Sequence, residues 1–225
     1  MDWHRQIDGY CERITPEFWA EPWNAVTNAA FVIAALICVT AAIRRGRLDG
    51  PVLWLAGVTA VIGVGSFLFH TYATAWAAVA DVAPIGVFIL TYFTISMRCF
   101  AGYGWGKSVL LTLGYVLALV AVSWVVNTLL RDLIGGSVSY VPALLALLAV
   151  GGWLRLRGHP AGLWLIGAAS IFAVSLTFRS IDLPLCHDHT HGWHWVWHIL
   201  NGVVLGSLTY AVIRHGKKPG LEDVF

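Results

Sequence analysis

Residues 65–81 read GSFLFHTYATAWAAVAD, and the order of polar and apolar residues in this stretch decides the fold. Ser66 and His70 stand four apart at the end of a long apolar run, hence one turn apart on one helix face. A short turn follows at 72–75, and Asp81 lies a few residues into the next apolar run. The segment therefore predicts two neighbouring helices that bring a hydroxyl, an imidazole and a carboxylate to a similar depth in oily surroundings. A carboxylate placed inside such a run is costly and marks function.

The same pattern extends along the whole chain. Hydrophobic residues make up 58% and charged residues 12% of 225, against ~25% charged in a soluble domain, and the mean hydropathy is +0.73. Apolar runs of about 20 residues recur, each long enough to cross a ~30 Å hydrocarbon core. We read an all-α, seven-transmembrane bundle with spans at 24–43, 52–71, 76–97, 108–130, 138–154, 161–178 and 193–213. Gly and Pro gather at the breaks between them. The chain reads as one membrane domain, 1–225, with an outer tail at 1–23 and a cytoplasmic tail at 214–225. The first residues, acidic and aromatic, do not form a signal peptide.

Charge sets the orientation. Arg44, Arg45, Arg47, Arg98, Lys107, Arg155, Arg157, Arg214, Lys217 and Lys218 fall on one side of seven spans, and Arg5, Arg13, Arg131 and Arg179 on the other. The basic-rich side faces the cytoplasm, which puts the N-terminus outside. The pI near 8.4 reflects this flank bias and excludes a nucleic-acid reading. Cys11 and Cys186 then share the oxidising side, where they pair or stay free; Cys38 and Cys99 lie toward the inner side. Many of the Trp residues sit at span ends, as an interfacial belt requires.

A second motif completes the polar set. HGWHWVWHILNG (191–202) places His194 and His198 on one face at the outer start of the last span. Two histidines at i, i+4 present their rings to one point, the way a helix offers two ligands to zinc. His70 is the third histidine expected within a span. Singly, each of these histidines reads equally as a hydrogen-bonding partner inside the bundle, and Ser66 as a helix-packing residue. The coincidence of five polar residues from three helices at one depth favours a metal site. His187, His189 and His191 read as a solvated loop in preference to a second site. His4, His159 and His215 read as ordinary flank residues.

These residues resemble the alkaline ceramidases, seven-span zinc hydrolases of the superfamily that also holds the progestin/adipoQ-type receptors. GSFLFHTYATAWAAVAD matches their S-x-x-x-H…D signature, HWVWH their H-x-x-x-H, and YCERITPEFWAEPWNAVTN (10–28) their approach to the first helix. The resemblance implies zinc on His70, His194 and His198, a water-holding Asp81, an oxyanion-assisting Ser66 and a Cys11–Cys186 disulfide. It also implies Ca2+ on acidic residues before the first helix, here Asp8, Glu12 and Glu21, although Arg13 and Ile14 stand where the family carries an acidic residue and Asn. The expected activity is hydrolysis of an N-acyl lipid, ceramide-like, that enters sideways from the bilayer of a bacterial plasma membrane, with the site toward the outer face. The chief alternative is a zinc-containing receptor or lipid sensor without turnover. A haem bundle leaves Ser66 and Asp81 unexplained, a diiron oxidase needs more histidine boxes, and a retinal pump needs a lysine within a span.

Overall fold

The computed structural model describes residues 2–187 and 189–217. Lys218 and the rest of the expected cytoplasmic tail lie outside the described residues. The described chain is helical, with no strand: α1 (Pro22–Thr27), α2 (Ala29–Arg44), α3 (Gly50–Tyr72), α4 (Ala75–Cys99), α5 (Trp105–Ile134), a 3₁₀ turn (Gly135–Tyr140), α6 (Val141–Leu156), α7 (Ala161–Ile181) and α8 (His194–His215).

Among the described residues six helical stretches are long and apolar enough to cross a membrane, where the sequence pattern suggests seven. The difference lies in the fourth stretch, Trp105–Leu156, whose 52 residues hold both the fourth and the fifth expected spans. The 3₁₀ turn joins α5 to α6 with no loop between them, and α6 alone, with 16 residues, falls short of the ~20 that a span needs. Many side chains that face outward on these helices are large and apolar, such as Leu36, Val61, Leu117 and Leu163, as lipid contact requires.

Helices adjacent in sequence pack side by side, and α8 closes the ring against α2 while also touching α3 and α4. Small residues allow the closest approaches, as in other membrane bundles. At Gly202 of α8 an added Cβ would lie 3.0 Å from the Ala30 backbone of α2. At Gly65 of α3 it would run into the Ala80 carbonyl of α4. Pro84 stands inside α4 and has no amide to bond that same carbonyl four residues back. A proline on one helix and a missing side chain on the other thus bring residues 65–66 against 80–81.

The turn between α3 and α4 is held by the N-terminal tail. Ala73 adopts a left-handed conformation (φ 46°) as the C-cap of α3. Its carbonyl accepts from the Ile7 amide at 2.7 Å, and the Ala75 and Trp76 amides donate back to the Arg5 and Trp3 carbonyls, both at 3.1 Å. A Cys11–Cys186 disulfide ties the tail to the segment before α8. Cys38 and Cys99 are free and buried.

Candidate metal centre

Two helices bring three imidazoles to one point. His70 comes from the last turn of α3, and His194 and His198 come from the first two turns of α8. All three are at most 2% exposed, their ring centroids stand 4.6–5.2 Å apart, and one ligand atom from each lies within 4.8 Å of the others. A haem would need its axial rings on opposite faces of a flat macrocycle; here all three crowd a single point.

The ring tautomers follow from the partners. His70 Nδ1 meets Glu21 Oε2 at 2.6 Å, and a carboxylate accepts, so Nδ1 carries the proton. His198 Nδ1 meets Thr27 Oγ1 at 3.0 Å. That hydroxyl donates its own proton to the Trp23 carbonyl at 2.7 Å, so here too the ring donates. The opposite nitrogens, His70 Nε2 and His198 Nε2, and His194 Nδ1 are buried without a partner among the described residues. Buried polar atoms are rarely left in this state. Three convergent imidazole nitrogens, two of them backed by outer hydrogen bonds, fit a metal ion of the kind that imidazole binds.

Glu21 is the hub of the support. Its carboxylate receives His70, Asn24 Nδ2 at 3.0 Å and Arg13 Nε at 2.5 Å. Burial works against its charge, but these hydrogen bonds outweigh it and hold the carboxyl below the usual range. Glu12 accepts the Trp23 and Asn24 amides at 2.8 and 2.9 Å, which are orphan donors of α1. Asp8 is exposed. The three acidic residues expected to bind calcium therefore do not converge. Among the described residues the histidine trio is the only such ligand group, and Glu21 already faces a guanidinium. These residues do not fit a divalent cation.

Ser66 on α3 is buried, and Asp81 on α4 lies near it, with His70 and Arg179 in its surroundings. Residues 65–81 thus fold back on themselves at the end of α3 that carries His70. The loop histidines His187, His189 and His191 are exposed. His189 packs on Trp193 and His191 on Trp23, away from any ligand cluster.

No protein-family model and no curated protein matches the chain.

Sequence reasoning missed four of its residues. Tyr10 stacks on His194 with ring centroids 3.7 Å apart, and burial pushes its phenol up. Arg179, expected to be a flank charge, points inward. It donates to Ser137 Oγ at 3.1 Å and lies over the Tyr140 and Trp197 rings. Asp182 is buried and accepts the Cys11, Trp193 and His194 amides at 3.0, 2.6 and 2.9 Å, capping α8 from a distant position and fixing the depth of His194. Thr27 reads in sequence as an ordinary helix-packing threonine. The only signal for Asp182 was an acidic residue at the outer end of an apolar run.

Proposed function

We propose that this chain is a seven-span intramembrane amidase that uses zinc to cleave an N-acyl lipid, ceramide-like, into a fatty acid and an amine. In this reading the left-handed Gly135 (φ 51°) and the 3₁₀ turn reverse the chain, so that α5 and α6 cross separately. The N-terminus and the histidine centre then face the outer side of a bacterial plasma membrane, and the C-terminus faces the cytoplasm.

The observation that carries the reading is an apolar cavity whose lining includes Phe31 and Trp197, ring neighbours of His198 and His194. The cavity lies between the helices and is lined by residues such as Phe31, Phe88, Leu147, Phe172 and Trp197. Ligand pockets are lined mainly by hydrophobic and aromatic side chains, and this lining suits a hydrocarbon chain. Phe31 and Trp197 of the lining also neighbour the His198 and His194 rings, so a chain held there would leave its polar head at the imidazoles.

When bound, zinc supplies a Lewis acid that polarises a carbonyl and acidifies water. The protein supplies the rest. Asp81 would accept a proton from the attacking water and pass it to the amine nitrogen as the C–N bond breaks. The Ser66 hydroxyl donates to the developing oxyanion, a contact worth roughly 2.7–4 kcal/mol. Helix packing through Gly65 sets their spacing.

The test is Asp81→Asn, assayed for metal content and for cleavage of N-acyl lipids in detergent or vesicles. The amidase reading expects retained zinc and a fall in turnover of at least 10²-fold, the usual size of a general acid–base contribution. Zinc-loaded wild type that cleaves no N-acyl lipid would favour a sensor.

A further inference from the structure

Arg13 is buried, 6% exposed, and oxygens surround its guanidinium. Nε donates to Glu21 Oε1 at 2.5 Å, Nη1 to the Thr15 and Glu17 carbonyls at 3.1 and 3.3 Å, and Nη2 to the His70 and Thr71 carbonyls at 3.0 and 3.5 Å. The last two belong to the final turn of α3, where carbonyls lack helical partners and the helix dipole concentrates negative charge. One carboxylate and four carbonyls, drawn from the tail, the start of α1 and the end of α3, form the donor set that a hard cation seeks.

We propose that Arg13 is a tethered cation, standing where a dissolved divalent ion would otherwise be needed. It clamps the tail to the end of α3 and holds Glu21 against His70 Nδ1, so the imidazole keeps its orientation with no cation drawn from solution. Arg13 is thus a positioning residue for the metal centre, two contacts removed from the metal. The disagreement with the calcium implied by the resemblance has this physical reason: the charge that an ion would bring is already covalently present. The proposal rests on the histidine trio being a metal centre and is independent of what reaction that centre performs.

The experiment uses zinc-loaded full-length protein and Arg13→Ala, with two readouts: zinc retained against a competing chelator, and Tm. Removing an outer-shell partner costs 10–100-fold in metal affinity, and Arg13→Ala is expected to fall in that range. Guanidinium chloride at low millimolar concentration restores zinc retention in the variant, while urea, the same shape without the charge, does not. Wild type takes up no calcium by metal analysis and gains no Tm from it. Equal rescue by urea, no rescue by guanidinium, wild-type zinc affinity in the variant, or calcium bound stoichiometrically by wild type would each overturn the proposal. If Arg13→Ala does not fold, Arg13→Lys and Arg13→Gln replace it; the lysine variant must retain zinc better, and equal losses refute the tethered charge. Failure of the wild type to hold zinc sinks the metal-centre reading itself, whereas a zinc-loaded wild type with an indifferent Arg13 sinks this proposal alone.

Discussion

The two supported imidazoles differ in the chemistry of their partners, and that difference predicts an order of metal affinities. His70 donates to a buried carboxylate at 2.6 Å, and His198 donates to a neutral hydroxyl at 3.0 Å. Hydrogen bonds to an ionised acceptor are roughly twice as strong as neutral ones, and loss of an outer partner lowers metal affinity by 10–100-fold. Thr27→Val should therefore sit near the lower limit, about tenfold or ~1.4 kcal/mol. Glu21→Gln keeps an acceptor but loses the charge, and should weaken binding several times further. Glu21→Ala should approach 100-fold, ~2.7 kcal/mol, because it also strands Arg13. Zinc competition against a chelator of known affinity, at one pH and in one detergent, measures all three. Thr27→Val costing more than either Glu21 variant would refute the reasoning, as would Glu21→Ala binding zinc like wild type.

Other substitutions test the frame around the centre. Gly65→Ala places a methyl against the Ala80 carbonyl; overpacking of this kind costs about 1–3 kcal/mol and should lower Tm, while Gly57→Ala, facing open space, should leave it unchanged. Cys11→Ser should abolish the mobility shift on reduction in a background lacking Cys38 and Cys99, and should cost about 2–5 kcal/mol of stability. Ala146→Phe, on the cavity wall, should shorten the acyl chains that are cleaved without lowering zinc content; an unchanged chain-length profile would remove the cavity from the substrate path.

The legible part of the site was the part built from motifs. Spacing alone placed Ser66 with His70 and His194 with His198, because a helix repeats its face every three to four residues. The membrane class followed from apolar run length. The span count was less legible, since an apolar run says nothing of whether the helix continues through a weak break such as Gly135–Tyr140. The role of the acidic residues was less legible, because a carboxylate in sequence does not reveal which cation it will meet. Glu21 meets Arg13, eight residues before it.

By itself, the sequence determined the chemistry available: three intramembrane histidines, one carboxylate, one hydroxyl, and helices that must bury their own backbone polar groups in lipid. The tertiary structure alone decided how those groups are used. Convergence of His70 with His194 and His198 depends on α8 closing against α2 and α3, and Asp182 sets the depth of α8 by capping it from across a loop. The tail folds over the α3–α4 turn and delivers Tyr10, Arg13 and Glu21 to a centre more than a hundred residues away in part. Such contacts carry no periodic signal, because they join segments whose spacing in the chain is unrelated to their spacing in the fold.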